Sequence, residues 1–125
     1  MTGRDFEIRL RRLFHNLGYK VELKRGYKDH GADLILTNPQ GARIAVQAKK
    51  LAAREGKIGA RVIGEVLRGK QYYDCHYAMI VTNQRFTEQA REEAKRLGVI
   101  LWDRDTLSKY LEKEKLRLKQ AGGVR

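Results

Sequence analysis

Asp33, Gln47 and Lys49 are the side chains in this sequence whose types and spacing could do chemistry together. A carboxylate binds a divalent cation, an amide carbonyl adds a neutral oxygen, and an ammonium reaches a phosphate or an attacking water. A hairpin gathers them. Between two apolar runs stands Asn38-Pro39-Gln40-Gly41, where Pro39 presets φ and Gly41 tolerates the left-handed conformation. This fits a three-residue loop, a type I turn closed by a glycine bulge, and sets Asn38 opposite Ala42 and Asp33 opposite Gln47. Side chains alternate along a strand, so Asp33, Ile35, Ala45, Gln47 and Lys49 share one face. Ala32, Leu34, Leu36, Ile44, Val46 and Ala48 share the other, which is wholly apolar. A two- or four-residue loop would put Asp33 among the core residues instead.

Magnesium takes octahedral oxygen ligands and keeps several waters, so a few protein oxygens and a phosphate suffice. Asp33 and Gln47 supply two, and the backbone carbonyl of Ala48 could supply a third. Glu7 follows the apolar Phe6 and shares a helix side with Leu10 and Phe14, at the margin of a buried stripe. From there it could reach the face carrying Asp33. Taken singly, an aspartate after Gly-Ala is ordinarily a turn residue, and Gln-X-Lys a solvated strand edge. Their common register is what points to a metal-phosphate site.

The elements that must position these groups follow from periodicity. Thr2 to Leu17 carries Phe6, Leu10, Leu13, Phe14 and Leu17 at helical spacing, with Thr2 and Asp5 as a cap and Gly18 as a stop. Tyr19 to Leu23 alternates as a strand. The polar stretch KRGYKDHG leads to strands over Ala32 to Thr37 and Ala42 to Lys49. Val62, Ile63, Val66, Leu67 and Tyr73 mark a second helix, and His76 to Thr82 a buried strand. Thr87 caps a third helix with Ala90, Ala94 and Leu97, closed by Gly98. Val99 to Trp102 is another strand. Asp105 caps a last helix with Leu107, Tyr110, Leu111 and Leu118. The order α-β-β-β-α-β-α-β-α, a meander followed by crossovers, predicts an α/β domain with a mixed sheet and helices on both faces. Residues 1–118 are expected to form one domain and 119–125 a loose C-terminal tail.

Composition narrows the partner. The 125 residues hold 27 Lys+Arg against 15 Asp+Glu, a formal net charge of +12 that favours a polyanion. The cations run along the whole chain rather than along one face of an amphipathic helix, which favours nucleic acid over a membrane surface. The single cysteine, Cys75, excludes an internal disulfide and a thiolate zinc site. His15, His30 and His76 lack zinc-ligand spacing. No Gly-rich phosphate loop joins a strand to a helix, so no nucleotide cofactor is expected. The start, MTGRDFEIRL, lacks the apolar stretch of a secretory signal, and the expected location is cytoplasmic.

The segments GRDFE, DHGADLIL, ARIAVQAKK, AMIVTNQRFTEQAREEA and GVILWDRDTL resemble, in order, the catalytic domain of Mrr-like restriction endonucleases, a branch of the PD-(D/E)XK nuclease superfamily. The likeness runs from about Gly3 to Leu111. It implies a restriction-endonuclease-like αβββαβ core that binds magnesium. The family's metal aspartate maps onto Asp33, its Glu-X-Lys position, commonly Gln-X-Lys in this branch, onto Gln47 and Lys49, and its first-helix glutamate onto Glu7. Gln47 in place of an acid lowers the charge around the metal. Mrr-type enzymes usually carry a separate recognition domain, for which this length has no room. Target choice is then expected from the nuclease domain, a dimer or a partner protein.

Together these readings predict an Mg2+-dependent DNA endonuclease, with Mn2+ as a substitute. Asp33, Gln47, Ala48 and Glu7 hold the cation, and Lys49 positions water or offsets transition-state charge. Lys50, Arg54, Lys57, Arg61 and Arg68 are the candidate phosphate contacts. A two-fold homodimer is expected, since one site cannot easily cut both strands. Two alternatives stand beside this: a structure-selective Holliday-junction resolvase with the same core, and a catalytically silent DNA-binding module.

Overall fold

The computed structural model describes residues 1–24 and 30–123. Four helices and five strands follow in the expected order: α1 (Gly3–Asn16), β1 (Lys20–Leu23), β2 (Leu34–Thr37), β3 (Arg43–Lys49), α2 (Arg61–Tyr72), β4 (Tyr77–Thr82), α3 (Glu88–Leu97), β5 (Val99–Trp102) and α4 (Arg104–Gly123). A 3₁₀ turn at Ala53–Glu55 lies between β3 and α2. Most of the stretch KRGYKDHG, at 25–29, lies outside the described residues.

The strands form one sheet in chain order, β1-β2-β3-β4-β5. The first two pairings are antiparallel and the last two parallel. That mixture follows from the connections: a tight turn joins β2 to β3, whereas α2 and α3 each return the chain to start a parallel neighbour. Both crossover helices pack on one face, where Val62, Ile63 and Val66 meet Ala78, Ile80, Ala90, Ala94 and Val99. On the other face α1 and α4 cover Leu34, Leu36, Ile44, Val46, Met79 and Val81 with Phe6, Leu10, Leu13, Phe14 and Leu107.

The β2–β3 turn has the expected form. The Gly41 amide donates to the Asn38 carbonyl at 2.9 Å, Gly41 takes φ of +90°, and the Asn38 amide donates to the Ala42 carbonyl at 2.9 Å. Oδ1 of Asn38 accepts from the amides of Gln40 and Ala42 at 3.0 and 2.8 Å, which clamps the loop. Leu34 therefore pairs with Val46, Ile35 with Ala45, and Leu36 with Ile44, the register read from the turn.

Four local expectations change. β2 begins at Leu34 rather than Ala32, because the chain bends at Asp33, and Ala32 packs with Ile35 and Ala45 on the α2 side instead of with Leu34. Asp103, not Asp105, caps α4: its Oδ1 accepts from the amides of Asp105 and Thr106, both at 3.0 Å. Asp105 sits in the first turn and pairs with Arg85 at 2.8 Å. Leu97 and Leu118 are exposed rather than core, since each lies near the end of its helix, beyond the sheet it would cover. α4 runs to Gly123, into the stretch expected as a tail.

Candidate active site

The bend at Asp33 has a physical origin in glycine. Gly31 has φ of +89°, and a Cβ there would stand 2.2 Å from the Glu65 carbonyl oxygen on α2. A Cβ on Gly69 would in turn meet the Gly31 carbonyl oxygen at 2.4 Å. Two glycines thus let the chain before β2 lie directly on the α2 backbone, a contact no side chain permits. Pressed there, the chain bulges at Asp33: its amide donates to the carbonyl of Val46, the residue already paired with Leu34, and its carbonyl accepts from the Lys24 amide, both at 2.8 Å. The Ala48 amide, which would otherwise donate to the main chain of β2, donates to Oδ2 of Asp33 at 2.8 Å.

Asp33 therefore joins the site from the plane of the ladder and not, as expected, from the face shared by Gln47 and Lys49. Within a strand, the N–H and C=O of one residue leave toward the same neighbour. The Ala48 carbonyl accordingly opens to the Asp33 side. The Lys49 carbonyl turns to β4, where the Thr82 hydroxyl donates to it at 2.6 Å.

Gln47 is buried, with 4% of its surface exposed. Its Nε2 donates to Oε2 of Glu65 on α2 at 2.9 Å. Its Oε1 is buried with no hydrogen-bond partner, alone in this among the described side chains. A buried amide oxygen with no donor costs about 1–3 kcal/mol in a folded protein, and as an acceptor it fits a donor or a hard cation. Lys49 Nζ lies 3.3 Å from the same Glu65 oxygen. The described residues contain no group of three His, Cys, Asp or Glu side chains able to hold a metal. The oxygens that fit a hard cation here are a carboxylate, an amide and a main-chain carbonyl, from Asp33, Gln47 and Ala48. That set is compatible with Mg2+ or Mn2+, which accept few protein ligands alongside water and phosphate.

Glu65 was missed from sequence. Its signal was a lone acid among apolar residues, three positions after Val62 and four before Gly69, at the edge of the stripe that faces the sheet. Glu7 is half-buried on α1, which covers the opposite face from Gln47 and Lys49. The structure thus does not bring it over the Gln47 face.

Beyond Lys49 the chain is stapled to the end of β4. Asn83 accepts from the Leu51 amide and donates to the Leu51 carbonyl, both at 2.8 Å. Ile58 bridges to Phe86, with hydrogen bonds of 2.8 and 2.9 Å to Arg85 and Thr87. Arg54, Lys57, Arg61 and Arg68 are exposed on this loop and on α2. Lys50 is half-buried and departs from them. It lines a cavity of about 370 Å³ with Phe6, Leu10, Leu107 and Leu111, on the α1–α4 side.

The fold is that of restriction endonucleases. The DNA modification-dependent restriction endonuclease AspBHI superposes with a TM-score of 0.72 at 21% identity, over 90% of this chain and 32% of its own. The MspJI restriction endonuclease, solved in complex with a 27-mer oligonucleotide, gives 0.59 at 19% identity, over 84% and 26%. A repair endonuclease from Pyrococcus abyssi gives 0.58 at 16% identity, over 82% and 47%. The chain thus spans between a quarter and a half of the length of these enzymes. No curated protein matches it in sequence. The Mrr catalytic-domain model, described as a restriction endonuclease, matches residues 1–111, and on that match the chain belongs to the Mrr restriction endonuclease family.

Proposed function

We propose that this chain hydrolyses phosphodiester bonds in DNA with the help of a divalent cation, Mg2+ or Mn2+. The observation that carries the reading is the buried, unpartnered Oε1 of Gln47, on the hairpin that also carries Asp33 and Lys49. Asp33, Gln47 and the Ala48 carbonyl would hold the cation, with Glu7 approaching from α1. When bound, such a cation polarises a phosphate oxygen and lowers the pKa of water.

The chain's own groups do the rest. Lys49 offsets charge that develops on the phosphate or orients the attacking water, and Glu65 keeps its ammonium at the site. The Ala48 amide holds the Asp33 carboxylate in the ladder plane. Asn83 and Thr82 fix the backbone after Lys49, so its side chain departs from a rigid strand end. DNA would be bound through phosphate contacts from Arg54, Lys57, Arg61 and Arg68, with Lys50 at the margin. A homodimer would place two such sites for the two strands.

The arrangement of Gln47 also weighs against a silent binding module. A site with no ligand gains nothing from keeping an amide oxygen buried without a donor, which costs stability. Purified protein incubated with supercoiled plasmid and Mg2+ or Mn2+, beside Asp33→Ala and Lys49→Ala, tests the activity. Wild type should nick and both variants should not; equal nicking by all three would leave only contamination. A panel of linear, methylated and four-way-junction DNA then separates a restriction-type enzyme from a junction resolvase. Symmetric cutting of the junction alone would favour the resolvase.

A further inference from the structure

We infer that Glu65 is a positioning residue that locks the amide of Gln47 with its oxygen toward the cation and holds Lys49 beside it. The inference rests on the metal-dependent reading above and adds to it a residue on a different element. A glutamine amide has two ends of nearly equal size, and a rotation of 180° about its last bond exchanges an acceptor for a donor. A metal site tolerates only one of the two. An ionised carboxylate accepts and cannot donate, so Glu65 Oε2, 2.9 Å from Nε2, admits only the orientation in which Oε1 faces away from α2. That oxygen is the one left buried and unpartnered.

The same Glu65 oxygen lies 3.3 Å from Lys49 Nζ. One carboxylate therefore sets both the neutral ligand and the cationic side chain two residues along. It also places a negative charge directly behind the Gln47 amide, which would offset the charge that a glutamine forfeits at this strand position. The Gly31–Gly69 contact gives the lock its rigidity, because the Glu65 carbonyl is itself the α2 atom against which Gly31 rests. Outer partners that orient metal ligands in this way typically change affinity by about 10–100-fold when removed.

The test is Mn2+ binding by calorimetry on the intact chain, without DNA, for wild type, Glu65→Ala and the reversed pair Gln47→Glu/Glu65→Gln. Thermal melting of each confirms folding. In the reversed pair the hydrogen bond runs the other way, the net charge is unchanged, and residue 47 again presents an oxygen. The expected result is that Glu65→Ala weakens Mn2+ binding about tenfold or more, and that the reversed pair recovers it. The Mg2+ concentration for half-maximal cleavage should shift in the same order. If Glu65→Ala binds Mn2+ as tightly as wild type, the lock is wrong and the metal site stands. If folded Glu65→Ala binds weakly but the reversed pair does not recover, Glu65 is not acting through Gln47 and the inference fails. If wild type binds no Mn2+, the metal reading itself falls.

Discussion

Gly31 is the residue on which the geometry of Asp33 depends. Replacing it with alanine would add a methyl 2.2 Å from a main-chain oxygen and force a side chain into φ of +89°. Overpacking and left-handed strain together should cost about 2–4 kcal/mol, read as a shift in the urea midpoint. The variant that still folds should lose cation binding, because the bulge that turns the Asp33 carboxylate onto the Ala48 amide would shift. At Gly41, also at positive φ, nothing stands within 4 Å of an added Cβ. Alanine there should cost only about 1–2 kcal/mol and leave the site intact. Denaturant melts of the two variants, with Mn2+ titrations, check the contrast.

At the scale of elements, α1 and α4 are joined by a buried charge. Glu114, 3% exposed, accepts from both terminal nitrogens of Arg9 and from the Asn16 amide. The Arg9 guanidinium holds this carboxyl below its usual value of 4.5 against the opposing effect of burial, with Asn16 assisting. A depressed carboxyl stabilises the fold fully above its unfolded value, and the contribution is lost as pH falls through the folded one. Glu114→Gln should therefore melt lower at pH 7, by about 2 kcal/mol given the partly exposed Arg9, and converge on wild type in acid. Melts at several pH values would show the convergence. This pair, like Glu65, was not legible from sequence. The hairpin register was, because turn chemistry and period-two alternation are local and the residues from Leu34 to Lys49 carry both. The bend at Asp33 was not, since it arises where Gly31 meets Gly69 on a helix far along the chain. The cap at Asp103 was misread by two residues because either aspartate satisfies the local pattern, and only the path of the chain out of β5 decides between them.

For the molecule as a whole, the proposed function assigns affinity to the surface charge and chemistry to the hairpin. The net charge is +12, and Arg54, Lys57, Arg61 and Arg68, the phosphate contacts proposed above, are exposed on one loop and helix; such contacts would release counterions. With about four such contacts, log K should fall against log salt with a slope near −3.6 on duplex DNA. Arg61→Ala should make that slope shallower by about 0.9 without a sequence preference appearing. Fluorescence anisotropy across a salt series measures both. Among the described residues no helix is long and apolar enough to cross a membrane. Cleavage and binding should separate cleanly: Asp33→Ala should bind duplex as tightly as wild type in the absence of metal, because the affinity lies elsewhere on the surface.

The most direct measurement is plasmid nicking at fixed DNA occupancy, with wild type, Asp33→Ala and Lys49→Ala compared in Mg2+, Mn2+ and EDTA. Wild-type cleavage should require the cation, and each substitution should slow it by about 100-fold or more with binding preserved. Cleavage that persists in EDTA, or that survives the loss of Asp33, would contradict the assignment of this hairpin as the catalytic centre.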